Sequence, residues 1–295
     1  MAIVARSSER GTMTATRAIL LKRLEAEALQ IRRNVWRALH AAGGGHVGGS
    51  VSAADLLAAL YFHILHVRPH EPDWPDRDRF VLSKGHANAA LAAVLVQAEF
   101  IEDALLDRFY GYESPLGMHP DIKVAGVEMS TGGLGHGLSV GTGMALGARI
   151  QGKAFRTYVM LGDGELHEGS NWEAAMCAAH YRLSNLTAII DANKVAQSAH
   201  VANLVGIEPL AEKWRAFGWE VREIDGHDMG QIVDALDALP FHAEKPSALI
   251  AHTVKGKGIS YMENALKWHH GVPDEKQYQE ALLELENAIT VPDDF

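Results

Sequence analysis

The chain has 295 residues and an acidic balance, with 37 Asp and Glu against 27 Lys and Arg and a net charge of −10. With no long basic run, this charge argues against a surface for nucleic acid or for an anionic membrane. Hydrophobic residues make up 47% of the sequence, so the chain can bury a sizeable core, but no stretch of about 18 apolar residues predicts a membrane span.

The N-terminal third is predicted to be helical around a single strand. The N-terminus lacks the continuous apolar core of a signal peptide, so we predict a flexible segment at residues 1–14 and a cytoplasmic protein. From residue 15 to residue 295 we predict one α/β domain. Apolar spacing predicts a strand at Arg79–Ser83 and helices at Ala15–Ala41, at Ala53–His66 with Ser52 as its cap, at Ala87–Phe100 and at 102–110.

Two glycine-rich loops interrupt these elements. The first, at residues 43–50, allows the backbone to approach a ligand or a neighbouring strand closely. The second, at residues 129–137, follows an irregular segment and opens a helix predicted to end near Ile150. Because a helix N-terminus preceded by glycines is a ready site for an anion, this loop is a candidate binding element.

The stretch from Arg156 to Ser198 reads as strand, tight turn, helix, strand and loop. Apolar runs predict strands at Arg156–Leu161 and Leu186–Ile190, with a helix at Trp172–Leu183 between them. The two strands are therefore expected to be parallel and joined by a right-handed crossover. The only cysteine, Cys177, lies in this helix among alanines and excludes a disulfide framework, and we expect a buried, inert thiol.

Two polar residues follow these strands, Asp163 in a Gly-Asp-Gly turn and Asn193 in the sequence DANK. Because the carboxyl ends of parallel strands meet at one edge of the sheet, both side chains are expected at the edge where such sheets bind ligands. A carboxylate and an amide oxygen form a hard oxygen site, which suits Mg²⁺ or Ca²⁺ completed by phosphate oxygens and water.

The C-terminal third continues the alternation. Lys255 and Lys257, set among glycines, fit either a phosphate site or a simple turn. Five strands alternating with helices predict an α/β fold with a doubly wound, mainly parallel sheet flanked by helices. The remaining predicted elements are helices at Pro209–Phe217, Asp228–Leu239 and about Asp274–Thr290, and strands at Trp219–Ile224 and Ser247–Val254.

With these residues identified, the chain resembles the transketolase family, specifically the N-terminal, diphosphate-binding part encoded as a separate subunit. The resemblance covers roughly residues 15–275. It rests on an ordered set of motifs: GGHVGGS at 44–50, SKGHA at 83–87, MHPD at 118–121, STGGLGHG at 130–137, GDGELHEGSNWEAA at 162–175, DANK at 191–194, HTVKGKG at 252–258 and HGVP at 270–273.

The resemblance implies thiamine diphosphate as cofactor, held through Mg²⁺ or Ca²⁺. The metal ligands carried over from the family are Asp163, Asn193 and the main-chain carbonyl of Val195, and Gly164 is the glycine that approaches a phosphate. The resemblance also implies that Gly132 and Leu134 lie against the aminopyrimidine of the cofactor.

Several histidines and acids also match family positions. His46 and His119 resemble histidines that face the substrate, and His86 resembles one that touches the diphosphate. His270 resembles a histidine close to both diphosphate and substrate, with the preceding His269 as an alternative for that match. Glu168, which we group with the cofactor-binding residues, and Glu173 match acids found where catalytic subunits meet.

The resemblance implies a transferase that moves a two-carbon ketol unit from a ketose phosphate to an aldose phosphate. A separate pyrimidine-binding subunit is expected as partner, in an α2β2 assembly. Two alternatives stay open at this point. One is the cofactor-binding subunit of another thiamine enzyme, such as a 2-oxo acid dehydrogenase or decarboxylase, and the other is a non-catalytic scaffold subunit.

Overall fold

Five parallel strands form the centre of the molecule, as the alternation of apolar runs and helices predicted. The computed structural model describes residues 2–197, 199–271 and 273–288. The strand order is β1-β2-β3-β5-β4, and every neighbouring pair is parallel. The strands are β1 Arg79–Leu82, β2 Thr157–Gly162, β3 Leu186–Ala192, β4 Glu220–Asp225 and β5 Ser247–His252.

Helices cover both faces of this sheet, which confirms the predicted doubly wound α/β fold. The α-helices are α1 Ala2–Ala41, α2 Val47–Ser52, α3 Ala54–Ala59, α4 Asn88–Gln97, α5 Gly137–Ile150, α6 Gly169–His180, α7 Val201–Leu204, α8 Leu210–Ala216, α9 Met229–Asp237 and α10 Glu275–Asn287. A π-helical turn, Leu60–Ile64, extends α3, and short 3₁₀ turns lie at Gly85–Ala87, Asp103–Arg108, Gly164–His167 and Leu266–Trp268.

Each face of the sheet has its own hydrophobic core. Along β2, Tyr158 and Met160 pack into the cluster that includes α1, α3 and α4, whereas Val159 and Leu161 pack into the cluster with α6 and α8. A strand buried on both faces is a continuous apolar run, because alternate side chains point to opposite faces. This is why the central strands could be predicted from the sequence.

Two sequence predictions need correction, the cap at Ser52 and the burial of Cys177. Ser52 is not a helix cap: it is the last residue of α2, and its Oγ donates to Asp191 Oδ2 at 2.7 Å, because that buried carboxylate requires donors. Cys177 is exposed rather than buried. The buried face of α6 carries Ala174, Ala175 and Ala178, at helical spacing, and Cys177 falls outside it.

The bounds of the first helix differ from the prediction, and part of the last predicted helix is not described. Helix α1 begins at Ala2, ahead of the predicted Ala15, and the flexibility of residues 1–14 stays a prediction. The predicted end of the last helix, Thr290, lies outside the described residues, as does Met1. Within the described ranges, no helix is long and apolar enough to cross a membrane.

Candidate functional site

A cleft of about 340 Å³ opens at the carboxyl edge of the sheet, where the parallel strands end. Residues that follow β1, β2, β3 and β5 converge there, as the parallel topology requires. The cleft is lined by His46, Lys84, His86, His119, Gly132, Leu134, Gly162, Asp163, Gly164, Glu165, Asn193, Val195, Ala196, Gln197, Leu204, Lys255 and His269.

The predicted metal ligands lie together in this cleft. Asp163 is only 4% exposed, and its Oδ1 and Oδ2 accept hydrogen bonds from the backbone N–H groups of Gly164 (2.8 Å) and Lys194 (2.6 Å). Asn193 Oδ1 accepts from the backbone N–H of Val195 at 3.2 Å. Burial, reinforced by the nearby Asp191 carboxylate, raises the pKa of Asp163 to about 6.

This donor set fits a hard divalent cation. A buried carboxylate with a raised pKa gains stabilisation from a cation, and an amide and a main-chain oxygen complete three hard oxygen donors. Among the described residues, no cluster of three His, Cys, Asp or Glu side chains could hold a metal by itself. A cation here would therefore rely on Asp163, the Asn193 amide, the Val195 carbonyl and oxygens of its ligand.

A buried ammonium ion already contacts one of these donors. Lys255 Nζ donates to the Val195 carbonyl oxygen at 2.6 Å and to His269 Nδ1 at 2.6 Å. Burial, together with the nearby Lys84 charge, lowers the pKa of Lys255 to about 8. From the sequence, Lys255 fitted either a phosphate site or a simple turn. Its position in the cleft lining favours the phosphate site.

Three histidine rings form one wall of the cleft. The ring centroids of His46 and His86 are 5.3 Å apart, and that of His269 lies 5.5 Å and 5.6 Å from them. Burial first, and then neighbouring basic side chains, lower the pKa of His46 to about 4 and of His269 to about 3, and put that of His86 well below its ordinary value. All three rings are therefore neutral at pH 7.

His46 carries an unsatisfied group that points to a ligand. Its Nδ1 is buried and has no hydrogen-bond partner among the described residues. Buried polar atoms are nearly always paired, so an orphan beside an open cleft is consistent with a partner supplied by a bound molecule.

The two consecutive histidines, His269 and His270, lie at different places relative to the cleft. A pair of backbone hydrogen bonds of 3.0 Å joins Gly45 and Gly271 and brings the segment that contains these histidines beside His46. His269 lines the cleft, whereas His270 is exposed and does not, although its ring centroid lies 4.8 Å from that of His46. Both histidines adjoin the site, and the roles carried over to His270 stay predictions.

The remaining predicted residues lie at the rim or outside. His119 is exposed, lines the cleft and packs beside Gly132, whose added Cβ would stand 3.4 Å from the His119 ring. Glu168 and Glu173 are exposed and are not part of the lining. Glu168 adjoins Gly135 instead, and the cofactor-binding role of Glu168 stays a prediction.

Two buried charged residues were missed by the sequence reasoning. Lys84, in the lining of the cleft, is paired through Nζ with the Asp191 carboxylate and donates to the Gly49 carbonyl at 2.7 Å. The Glu165 carboxylate accepts from Ser83, Gly135 and Gly162. Both lie inside quoted motifs, SKGHA and GDGELHEG, but nothing in a local pattern shows that a lysine or a glutamate is buried.

Comparison with known proteins gives a family match over most of the chain. A family model described as "Transketolase, thiamine diphosphate binding domain" matches residues 25–287. An apulose-4-phosphate transketolase subunit from Phocaeicola vulgatus is 44% identical over 266 residues, covering 90% of this chain and 95% of that protein. The 6-deoxy-6-sulfo-D-fructose transketolase subunit SqwG of Clostridium sp. is 41% identical, covering 89% and 96%.

Solved structures give the same result for the fold. The transketolase of Campylobacter jejuni superposes with a TM-score of 0.84 at 31% identity, over 89% of this chain. The match covers 42% of that transketolase chain, so the present chain spans about two-fifths of its length. The two bacterial transketolase subunits, in contrast, match along almost their whole length.

Proposed function

The chain belongs to the transketolase family, and from this premise we propose that it is the thiamine diphosphate-binding subunit of a split transketolase. Its reaction would transfer a two-carbon ketol unit from a ketose to an aldose. The observation that carries the proposal is the convergence of Asp163, Asn193 and the Val195 carbonyl with His46 and His86 around one cleft. The near full-length match to two proteins named as transketolase subunits supports it.

The oxygen donors of the cleft would anchor the cofactor. Asp163, Asn193 and Val195 would hold Mg²⁺, or Ca²⁺, against the diphosphate, and Gly164, His86 and Lys255 line the space around it. Gly132 and Leu134, which also line the cleft, would lie against the aminopyrimidine. When bound, thiamine diphosphate supplies the carbanion that breaks and forms the carbon–carbon bond.

The histidines would bind the sugar and move its protons. A neutral imidazole offers one donor and one acceptor, so His46, His119 and His270 could each bind a hydroxyl or a carbonyl oxygen. An anionic ligand bound in the cleft would raise the pKa of His46 from about 4 toward neutrality, because a nearby negative charge favours the imidazolium. That shift would let His46 accept a hydroxyl proton and return it during ketol transfer.

We infer that a second polypeptide completes the active site. Relatives of similar length are named as subunits, and single-chain transketolases are more than twice as long as the matched region. The partner would be a pyrimidine-binding subunit, and two copies of each would form an α2β2 assembly. We also propose that the complex acts in the cytoplasm.

The substrate proposal is a ketose that carries an anionic group. Two relatives are named for apulose-4-phosphate and one for 6-deoxy-6-sulfo-D-fructose, so both names contain an anionic substituent. A sugar phosphate donor and a phosphorylated aldose acceptor are therefore the first compounds to assay. A sulfonated ketose is the second candidate.

The test is co-expression with the neighbouring reading frame, followed by size measurement and assay of ketol transfer with thiamine diphosphate and Mg²⁺. We expect a stable hetero-complex that transfers a two-carbon unit, and an inactive complex when it carries Asp163→Asn. Decarboxylation of a 2-oxo acid without ketol transfer would move the assignment to another class of thiamine enzyme. A chain that binds no cofactor in any complex would leave the scaffold alternative.

A further inference from the structure

Glu165 is a buried carboxylate inside the cleft that the proposed cofactor chemistry does not use. It is 3% exposed and stands in the 3₁₀ turn that follows Asp163. Its Oε1 accepts hydrogen bonds from Ser83 Oγ and from the backbone N–H of Gly135, the latter at 2.9 Å. Its Oε2 accepts from the backbone N–H of Gly162 at 3.1 Å.

The three donors come from three different segments that line the cleft. Ser83 precedes Lys84 and His86, Gly135 follows Gly132 and Leu134, and Gly162 precedes Asp163. We propose that Glu165 is a positioning residue that couples these three segments through one carboxylate. The inference rests on the proposed function, because these segments are the ones that would surround thiamine diphosphate.

A carboxylate is the side chain that this arrangement requires. Two backbone N–H groups and a hydroxyl all donate, so the group between them must accept on both of its atoms. A glutamine in the same place has one oxygen and one NH₂ group, and the NH₂ group would face a backbone N–H. A buried N–H left without an acceptor loses its hydrogen bond without solvent to replace it.

Further hydrogen bonds hold the segments around Glu165, so that a shift of its carboxylate would move the segments that it contacts. Asn171 Nδ2 donates to the Glu165 backbone carbonyl at 2.8 Å, and Ser170 Oγ donates to the Gly135 carbonyl at 2.9 Å. Gly135 has φ of +86°, and an added Cβ would stand 2.5 Å from Ser170 Oγ. Gly135 is therefore held on its N–H side by Glu165 and on its carbonyl side by Ser170.

The first test measures the coupling without the cofactor. In ¹⁵N-glycine-labelled protein, we expect Glu165→Gln to speed hydrogen exchange of both the Gly135 and Gly162 amides by about tenfold or more. A change at only one of the two glycines, or at neither, would overturn the coupling.

Asp78→Asn is the matched control. Asp78 is also a buried carboxylate that accepts two backbone N–H groups, from His66 (2.9 Å) and Arg156 (2.7 Å), but at the opposite edge of the sheet. This variant should leave exchange at Gly135 and Gly162 unchanged. Should Glu165→Gln fail to fold, Glu165→Asp takes its place, because its shorter side chain keeps the carboxylate but draws it away from the two N–H groups, and no acceleration at either glycine would count against the proposal.

The second test separates positioning from general stability. At a temperature where all variants are fully folded, we expect Glu165→Gln to weaken binding of thiamine diphosphate with Mg²⁺ by about tenfold, and Asp78→Asn to leave it unchanged. Equal affinities in the wild type and Glu165→Gln would reduce Glu165 to a structural residue. A wild-type protein that binds no cofactor, alone or with its partner, would refute the proposed function, while glycine exchange would still decide the coupling.

Discussion

Close backbone packing at single glycines sets the shape of the cleft. A Cβ added at Gly85, between Lys84 and His86, would stand 2.7 Å from Thr131 Oγ1, 2.9 Å from the Thr131 carbonyl carbon and 3.0 Å from Gly132 N. Two of these atoms are backbone, so they cannot move as the end of a flexible side chain would. The residue type at 85 is therefore fixed by the distance between two segments of the cleft wall.

Gly85→Ala should accordingly weaken cofactor binding by pushing residues 131 and 132 away, and should destabilise the fold by about 1–3 kcal/mol, as overpacking does. Gly143→Ala is the matched control, because nothing lies within 4 Å of its added Cβ on α5, and it should stabilise the protein by about 0.4–1 kcal/mol. Urea unfolding and cofactor titration measure the two effects. Equal stability changes in the two variants would contradict the packing argument.

The Asp163 carboxylate should make metal binding depend on pH. Its pKa is raised to about 6, so it is increasingly protonated as the pH falls below that value, and a protonated carboxyl is a poor ligand. With thiamine diphosphate present, Mn²⁺ affinity should fall by about tenfold per pH unit below pH 6. Because the diphosphate also titrates, Asp163→Asn supplies the reference, and the same pH slope in both proteins would assign the titration to the cofactor.

At the scale of secondary-structure elements, one buried carboxylate at the end of β3 ties four elements together. Asp191 is paired with Lys84 after β1 and accepts hydrogen bonds from Ser52 at the end of α2 and Thr253 after β5. Burial alone would raise the pKa of Asp191, but the Lys84 ammonium and these donors hold it below its ordinary value. The candidate site therefore adjoins a buried charged cluster in which both oxygens of the Asp191 carboxylate have partners.

Asp191→Asn should destabilise the protein by about 3–5 kcal/mol, because it leaves the Lys84 ammonium buried without a counter-charge. The exposed pair Arg182–Glu244 is the control: its side chains are 70% and 68% exposed, and Arg182→Ala should change stability by less than about 1 kcal/mol. Chemical denaturation measures both. A loss for Asp191→Asn as small as that for Arg182→Ala would mean that Lys84 finds another partner.

The elements that the sequence predicted are those whose signal is local. The run at β3 and the alanine-rich pattern of α4 bury their residues by strand and helix periodicity, and both were identified within a few residues of their ends. The cap assigned to Ser52 failed because the local sequence does not show that α2 lies over Asp191. Gly48, in that helix, is fixed by Trp268 and Lys255, which are more than 200 residues away in the chain.

The candidate site, like the fold, was predictable only where the signal lies in the local sequence and the order of strands and helices. Asp163 and Asn193 follow strands at the spacing of one β-α-β unit, so topology alone brought them together. Glu165 and Lys84 could not be placed, because their importance lies in burial and in partners from other segments. The division of the doubled histidine between His269 and His270 likewise depends on the backbone pairing of Gly45 with Gly271.

At the scale of the whole molecule, the histidine wall should make the cofactor-free chain sensitive to acid. His46, His86 and His269 have pKa values below the ordinary 6.5, first because of burial and then because of neighbouring positive groups. Below pH 6.5 the unfolded chain binds protons at these rings and the folded chain does not. The unfolded state is therefore favoured as the pH falls from 6.5 toward 4.

We expect the free energy of unfolding to decrease across this window, with a slope per histidine below the limit of about 1.4 kcal/mol per pH unit, since partial exposure screens the rings. The double variant His46→Gln, His269→Gln should flatten the dependence, because glutamine does not titrate. His70→Gln, at a side chain that is 83% exposed, is the control and should leave the slope unchanged. Denaturant titrations between pH 5 and 7.5 measure the slopes, and equal slopes in the double variant and the wild type would place the acid sensitivity elsewhere in the molecule.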